Sequence, residues 1–518
     1  MEAYSIVKEE DQFESARAHF EDLVWKLRSA SALKTDHATL EQQLQVDGCE
    51  LLRQLFQSHL DLRELSEPSI SVIGSDDVER RCLRASQRSL MTVFGPVVIG
   101  RLQASAKGYA SLHPLDSELN LPHQRQSFGV QKRVAEDAAQ RSFDEVVSRL
   151  AKETGATVSK RQTELLVMAA AQDFEAFYAS QCPAESTAEQ SELLVMSCDG
   201  KGIVVRLEDL REATRKAAES QKHKLNKRLS RGEKRNRKRM VEVAAVYSVA
   251  PNQRTVEEVL GELQSRRVRR AAPRATKKRV WASVRAGLKE VIAEMFEEAQ
   301  RRDPEQRQRW VVLVDGNKDQ IKQILKQAKE RKVKITLLLD FIHVAEYLWK
   351  AAYSFNAEAS QEAEAWVRER LAETLRGRSS EVAAGITRSA TLRKLCKAKR
   401  QAADKCAAYL VANRALLRYD EALTAGFPIA TGIIEGACRH LVKDRMDITG
   451  ARWSLDGAEA VLRLRALRSS GDFDEYWRFH LACEHERNHL SQYAGANPRN
   501  GIPQIRRAKS SCLHVVAE

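Results

Sequence analysis

The chain is expected to fold as a mixed α/β protein: one mixed five-stranded sheet carrying a helical insertion, preceded by a mainly helical N-terminal region. Three patterns lead to this expectation. Short apolar runs end at Asp199, Asp315 and Asp340 and read as buried strands. Helix-periodic segments separate the later runs. Residues 355–425 are helical in pattern throughout, with few Gly and no Pro.

Taken in order, residues 9–64 are rich in Leu, Glu, Gln, Arg and Ala and read as long amphipathic helices. Leu90–Phe94 and Val97–Leu102 flank Gly95-Pro96, which predicts a hairpin turning there. Ser142-Phe-Asp-Glu145 and Ser159-Lys-Arg-Gln162 are two capping boxes, joined through Thr154-Gly-Ala-Thr157. That is the plan of a helix-turn-helix DNA reader, whose second helix would present Lys160, Arg161 and Gln162. Residues 1–190 form this first region, and Cys182–Glu192 reads as a linker.

The core occupies 191–350. Strands are expected at Leu193–Cys198, Gly202–Arg206 and Val241–Val249, and a helix over about Val280–Arg301. A strand then reaches Asp315, a helix covers Lys318–Lys332, and the strand Val333–Leu339 reaches Asp340. Three strands, helix, strand, helix, strand is the order of an RNase H-like α/β core. Residues 351–425 form the insertion, 426–470 complete the core, and 471–518 add a C-terminal helix and tail.

The 85 Lys and Arg against 71 Asp and Glu leave a net charge of +14, and the excess is clustered. Between Lys222 and Arg239, ten of eighteen residues are basic, including Lys227, Arg228, Arg235, Arg237 and Lys238. Between Arg266 and Arg279, eight of fourteen are basic, including Arg269 and Arg270. Two such runs flanking one strand predict a surface that tracks phosphates. No apolar run approaches membrane-spanning length and no basic, then apolar, leader opens the chain, so a cytoplasmic protein is expected. Nine cysteines without paired spacing fit a reducing compartment. His480, Cys483, His485 and His489 are the densest zinc-like cluster, although a polar, packed helix accounts for them as well.

Asp199, Asp315 and Glu435 carry the chemistry. Carboxylates beside apolar runs are costly to desolvate and need a cation or another partner. Two aspartates and a glutamate from distant segments can hold a pair of divalent metals for phosphoryl transfer. Each also has a plainer reading. Asp before Gly at a strand end forms turns, and Glu435 and Arg439 have the spacing of a helix ion pair. Glu435, Arg439 and Lys443 make one polar row, against an apolar face of Ile434, Cys438, Leu441 and Val442. Asp340 competes with Asp315. Its strand should lie one place further out, about 4.8 Å per step, which favours Asp315 beside Asp199.

Cys198-Asp-Gly-Lys-Gly, Val314-Asp-Gly-Asn-Lys-Asp-Gln-Ile, Leu339-Asp-Phe-Ile-His-Val-Ala-Glu-Tyr-Leu-Trp and Gly432-Ile-Ile-Glu-Gly-Ala-Cys-Arg-His-Leu-Val-Lys-Asp-Arg resemble the motifs of acidic-triad transposases. The nearest group is the Kra-type bacterial insertion-sequence transposases, distantly Mutator-like, over most of residues 90–480. Asp340 and His343 match an Asp-x-x-His or Cys-x-x-His element that the group places between its second aspartate and its glutamate. Thr449-Gly-Ala-Arg-Trp-Ser454 resembles its Gly-x-x-Trp-Ser ending. Where relatives often carry a cysteine pair, this chain reads Lys107-Gly-Tyr-Ala-Ser-Leu112, which argues against a zinc ribbon.

The resemblance implies two Mg²⁺ or Mn²⁺ ions held by Asp199, Asp315 and Glu435. It implies cleavage at element ends followed by attack of the 3′-hydroxyl on target DNA, in the bacterial nucleoid. His343 would position or polarise the scissile strand, or cap and pack. Arg445, Arg452 and Trp453 would clamp or stack on an end base, or Trp453 would pack in the core. The partners implied are the double-stranded terminal repeats and target DNA, with a homodimer or larger assembly on the DNA. Two other functions fit the same residues: a nuclease of this fold without strand transfer, and a non-catalytic DNA-binding regulator.

Overall fold

The computed structural model describes residues 11–181, 193–220, 237–264, 273–448 and 450–494. The chain divides into two compact units, Met1–Gln181 with Asp472–Glu518, and Cys182–Gly471. The C-terminal helix Phe473–Asn488 therefore folds with the N-terminal unit and is not a separate segment.

In the first unit, the helices Glu14–Arg28 and His37–Leu65 precede a hairpin of β1 (Cys82–Thr92) and β2 (Gly95–Ser105). The innermost pair is Thr92↔Gly95, so the turn lies at Val93-Phe94, one step before the Gly-Pro that was expected to make it. Gly95, at φ +122°, supplies the backbone sign that closes this two-residue loop. Leu60, Leu90, Val97, Ile99 and Leu115 bury the contact between the hairpin, the long helix and the segment that follows.

Both capping boxes form. Ser142 and Glu145 open the helix Phe143–Glu153, and Ser159 and Gln162 open Lys160–Ala170. The turn between these helices packs on the hairpin tip, where Gly155 N–H donates to Val93 C=O at 3.0 Å. A Cβ at Gly155 would lie 2.4 Å from the Phe94 carbonyl oxygen, so only glycine fits this approach.

The second unit holds a five-stranded mixed sheet of β3 (Leu193–Val204), β4 (Lys238–Val249), β5 (Thr276–Ser283), β6 (Arg309–Val314) and β7 (Ile335–Leu339). Its spatial order is β5-β4-β3-β6-β7, with β3, β6 and β7 parallel and β4 and β5 antiparallel. Two expectations are corrected here. The first two expected strands are one, because β3 pairs with β4 without a break from Leu193↔Val249 to Val204↔Lys238. Gly200 and Gly202 do not interrupt it; they leave room for Met240, Glu242 and Lys238 to lie across the strand. The third strand is β5, taken from the start of the expected helix, which begins only at Leu288. Val280–Ser283 is buried at every position, and such a short continuous apolar run has no period that separates strand from helix.

Between β7 and the end of the sheet unit, the helices Phe341–Ala352, Gln361–Leu375, Ser379–Leu392 and Lys397–Ala412 make the insertion region. The chain returns through Gly432–Ala437, a π-helical turn Cys438–Lys443, and the helix Leu455–Ser470, which packs on β5. Among the described residues, no helix is long and apolar enough to cross a membrane.

Candidate metal centre

The parallel strands set the acids side by side. The β3–β6 pairing ends at Ser197↔Leu313 and the β6–β7 pairing at Val314↔Leu339. Continuing both registers brings Asp199, Asp315 and Asp340 to one level, with neighbours about 4.8 Å apart. Asp315 is the middle member, since β6 lies between β3 and β7. The helix bearing Glu435 closes over this row. Cys438, one turn beyond Glu435, donates its thiol to Asp199 Oδ2 at 3.2 Å.

The carboxylates differ in what they already hold. Asp340 is fully buried and its two oxygens accept four hydrogen bonds. Oδ1 takes the N–H groups of Ile342 at 3.1 Å and Thr431 at 3.3 Å. Oδ2 takes His343 Nδ1–H at 2.9 Å and the Thr431 hydroxyl at 2.6 Å. Burial works to raise its pKa, but the bonds from His343, Thr431 and the Ile342 N–H together outweigh it and hold the carboxyl below its ordinary value. Asp340 is thus the N-cap of the Phe341–Ala352 helix and the anchor of His343.

Asp199 and Asp315 each give one oxygen to the turn-forming role expected of Asp before Gly. Asp199 Oδ1 accepts Gly200 N–H at 2.7 Å, and Asp315 Oδ1 accepts Asn317 N–H at 2.8 Å. Each keeps its other oxygen free of any cation. Glu435 does not pair with Arg439, because the π-helical turn widens the pitch and Arg439 meets Asp444 at 3.7 Å. Among the described residues, none of these three carboxylates forms an ion pair.

The electrostatics reflect that crowding. Partial desolvation first, then the Asp340 charge, raise the pKa of Glu435; His343 opposes them, and Glu346 and Asp199 add to the rise. His343 is pushed up to about 9 by its bond to Asp340, against desolvation, with Glu346 and Asp315 contributing. It is an imidazolium at neutral pH. Asp340, His343 and Glu435 bring ligand atoms within 4.8 Å of one another, a grouping able to hold a cation. Using Asp340 as a ligand would mean breaking bonds from its four donors, whereas Asp315 and Glu435 each have an oxygen to spare and Asp199 would give up only the weak thiol donor of Cys438.

Two tyrosines brace the strand ends. Tyr409 O–H donates to the Asp315 carbonyl at 3.1 Å and its ring stacks on Tyr347, with centroids 3.9 Å apart. Tyr419 O–H donates to the Leu339 carbonyl at 2.9 Å. Behind Asp199, Gln320 Nε2 donates to the Cys198 carbonyl at 2.6 Å, tying the helix after Asp315 to β3.

Several charged groups near this centre were not singled out from sequence. Glu242 lies on β4 opposite Gly200; burial raises its pKa, Arg211 opposes this and Asp199 adds to it. Arg239 donates to the carbonyls of Val284 and Asp209. Its pKa is lowered by burial and then by Arg211, with Arg285 acting in the same sense, so three guanidinium groups share one neighbourhood. The signal for Glu242 was an acid inside the apolar run Met240–Val246. Nothing in the spacing of the arginines predicted their meeting.

The expected DNA contacts divide by exposure. Arg439, Lys443 and Arg452 are exposed, as is Lys238, while Arg237 is half-buried. Lys227, Arg228, Arg235, Arg269 and Arg270 lie outside the described residues. Arg445 and Trp453 are buried, which corrects the DNA-facing placement of both and leaves Trp453 in the core, the other place expected for it. Trp453 Nε1–H donates to the Met446 carbonyl at 2.9 Å and the Arg445 guanidinium sits over its ring, 4.8 Å from the centre. A tryptophan at a bend between packed elements is the better placed to fill the core. In the first unit, Lys160 pairs with Asp144 at 2.7 Å, exposed Arg161 lies 3.7 Å from Glu164, and Gln162 is spent on its own capping box.

The zinc-like cluster does not assemble. His485 and His489 bond the carbonyls of Ser117 and Leu121, and His480 bonds Asp173 at 2.7 Å. Asp173, His480 and Glu484 form a second buried grouping able to hold a cation, but Arg487 already pairs with both carboxylates. No family model matches this chain, and no curated protein matches it.

Proposed function

We propose that the second unit is a divalent-metal-dependent, RNase H-like DNA strand-cleaving and strand-transferring enzyme, a transposase of the acidic-triad kind. The observation carrying this reading is the contrast between the acids: Asp340 is saturated, whereas Asp199 and Asp315 lie just past the pairing of neighbouring strands, Glu435 lies beside Asp340 and His343, and none of these three acids pairs with a cation. Like charges near one another disfavour ionisation, as Asp340 and Asp199 do at Glu435, and a bound cation relieves that repulsion. Hard oxygen donors suit Mg²⁺ or Mn²⁺.

Asp199, Asp315 and Glu435 would hold the ions. Bound there, such ions lower the pKa of a water and stabilise charge on the oxygens of an in-line displacement. The protein's own groups do the rest. The His343 imidazolium, fixed by Asp340, offers Nε2–H to a phosphate oxygen of the scissile strand. Arg211, Arg239 and Arg285 give the DNA backbone a cationic flank, extended by exposed Lys238, Arg439, Lys443 and Arg452. The helix pair at 143–170 reads duplex DNA through exposed Arg161. Joining two element ends calls for at least two copies of the chain on the DNA.

The test is strand cleavage of element-end duplex DNA by the full chain with Mg²⁺ or Mn²⁺, using Asp199→Asn, Asp315→Asn, Glu435→Gln and Asp340→Asn. Loss of cutting by about 10³-fold in the first three is expected, the scale on which groups stabilising transition-state charge act. Asp340→Asn should retain a measurable rate. Cutting by Asp315→Asn at the wild-type rate would overturn the assignment.

A further inference from the structure

We propose that Thr431 is the positioning residue that sets Glu435 against His343 and so determines how tightly this centre grips a divalent cation. The inference rests on the metal-dependent reading above and deepens it. Thr431 is 5% exposed and uses all three of its hydrogen-bonding groups at the site. Its hydroxyl and N–H donate to opposite oxygens of Asp340, at 2.6 and 3.3 Å. Its carbonyl accepts Glu435 N–H at 3.1 Å, closing the first turn of the helix that carries that acid.

The same Asp340 carboxylate orients His343 Nδ1. One side chain therefore receives the hydroxyl of Thr431 and the imidazole N–H on a single oxygen, and Thr431 in turn begins the Glu435 helix. The partners are 91 positions apart in sequence, so no local propensity fixes this meeting. A neighbouring bond, Phe341 N–H to the Ile429 carbonyl at 2.8 Å, brings the two chain segments together but touches neither Glu435 nor the imidazole. Ile434 and Ala437 bury the inner face of the Glu435 helix, so the helix stays docked without the hydroxyl, held by the Thr431 N–H and the Cys438 thiol but without its shortest tether to Asp340.

Thr431→Val keeps the branched shape and removes only the O–H; Thr431→Ser keeps the O–H and removes a methyl group. Mn²⁺ binding to the full chain, followed by electron paramagnetic resonance of the free ion, reads the effect without requiring any cleavage. Thr431→Val should weaken Mn²⁺ binding about tenfold, the low end of the scale for disturbing groups that orient metal ligands, because the hydroxyl acts on Glu435 only through the Thr431 backbone; Thr431→Ser should stay within about twofold of wild type. DNA affinity in EDTA should be unchanged in both. Wild-type Mn²⁺ affinity in Thr431→Val, or equal losses in Val and Ser, overturns the positioning role alone. Failure of the wild type to bind Mn²⁺ at all overturns the metal reading and this proposal with it.

Discussion

Replacing Asp340 by Asn should release His343 from its raised pKa, with an effect that can be sized from the structure. The bond to Asp340 is the largest cause of the rise from 6.5 to about 9, a difference of about 2.5. At ~1.36 kcal/mol per pH unit that is about 3.4 kcal/mol of preference for the imidazolium in the folded state. The His343 side chain is 36% exposed, so solvent screening reduces the stability contribution to roughly 1–2 kcal/mol. For a group whose folded pKa is raised, that stability is fully present below pH 6.5 and is lost as the pH climbs through about 9. Proton NMR titration of the imidazole should find wild-type His343 titrating near 9. In Asp340→Asn it should fall back toward 6.5, with desolvation then opposing the smaller contributions of Glu346 and Asp315. Urea unfolding at pH 6 and pH 10 should show the wild type losing more stability between the two than the variant. An ordinary wild-type titration, or one that Asn leaves in place, would refute the dyad.

Gly155→Ala should lower the stability of the first unit by roughly 1–3 kcal/mol, because the new methyl meets the Phe94 backbone; circular dichroism melts would register it as a lower midpoint. Trp453→Phe removes a buried hydrogen bond to Met446 and should cost about 1–3 kcal/mol in urea titrations while leaving DNA affinity unchanged. Arg211→Ala and Arg285→Ala should each weaken duplex binding and reduce the slope of log affinity against log salt by about 1, measured by fluorescence anisotropy. Glu298→Gln leaves Arg279, Arg301 and Arg302 around a neutral group in the core, and should destabilise the second unit by about 3–5 kcal/mol in chemical denaturation.

Much of the sheet was legible because its parallel strands are continuous apolar runs ending in Asp, and because the runs alternate with amphipathic helices. The order of β3, β6 and β7 followed from that alternation, and with it the place of Asp315 between its two neighbours. The β5 strand was not legible, since its buried run is too short to show a period and lies directly after Lys277, Lys278 and Arg279. Nor were the glycines of β3 readable as strand residues: their use depends on Glu242 and Met240 from a segment about forty residues away, visible only in the pairing. At the centre, the three acids could be named from sequence, but not the division of labour between Asp315 and Asp340. Asp340 accepts two of its four bonds from Thr431, whose own surroundings (Ile429-Ala-Thr-Gly-Ile) contain no hint of a carboxylate. Trp453 shows the opposite failure. A motif-like tryptophan invites a binding role beside the core packing also expected of it, and its Nε1 partner can be seen only in three dimensions.

The tyrosines of the insertion constrain how this architecture can vary. The helices between β7 and the Glu435 segment leave and rejoin the core at adjacent points, an arrangement that in most proteins marks a removable cassette. Here the cassette repays its attachment: Tyr409 and Tyr419 reach back to cap the carbonyls of Asp315 and Leu339. Excising it and splicing the ends with a short loop would leave both strand tips with bare acceptors and no second wall. Its outer connections, near residues 354–360 and 393–396, meet each other where Arg393 bonds the Phe355 carbonyl at 3.0 Å, and they touch neither strand tip. The two inner hydroxyls are fixed to the strand tips, so drift in this region should accumulate from the periphery inward.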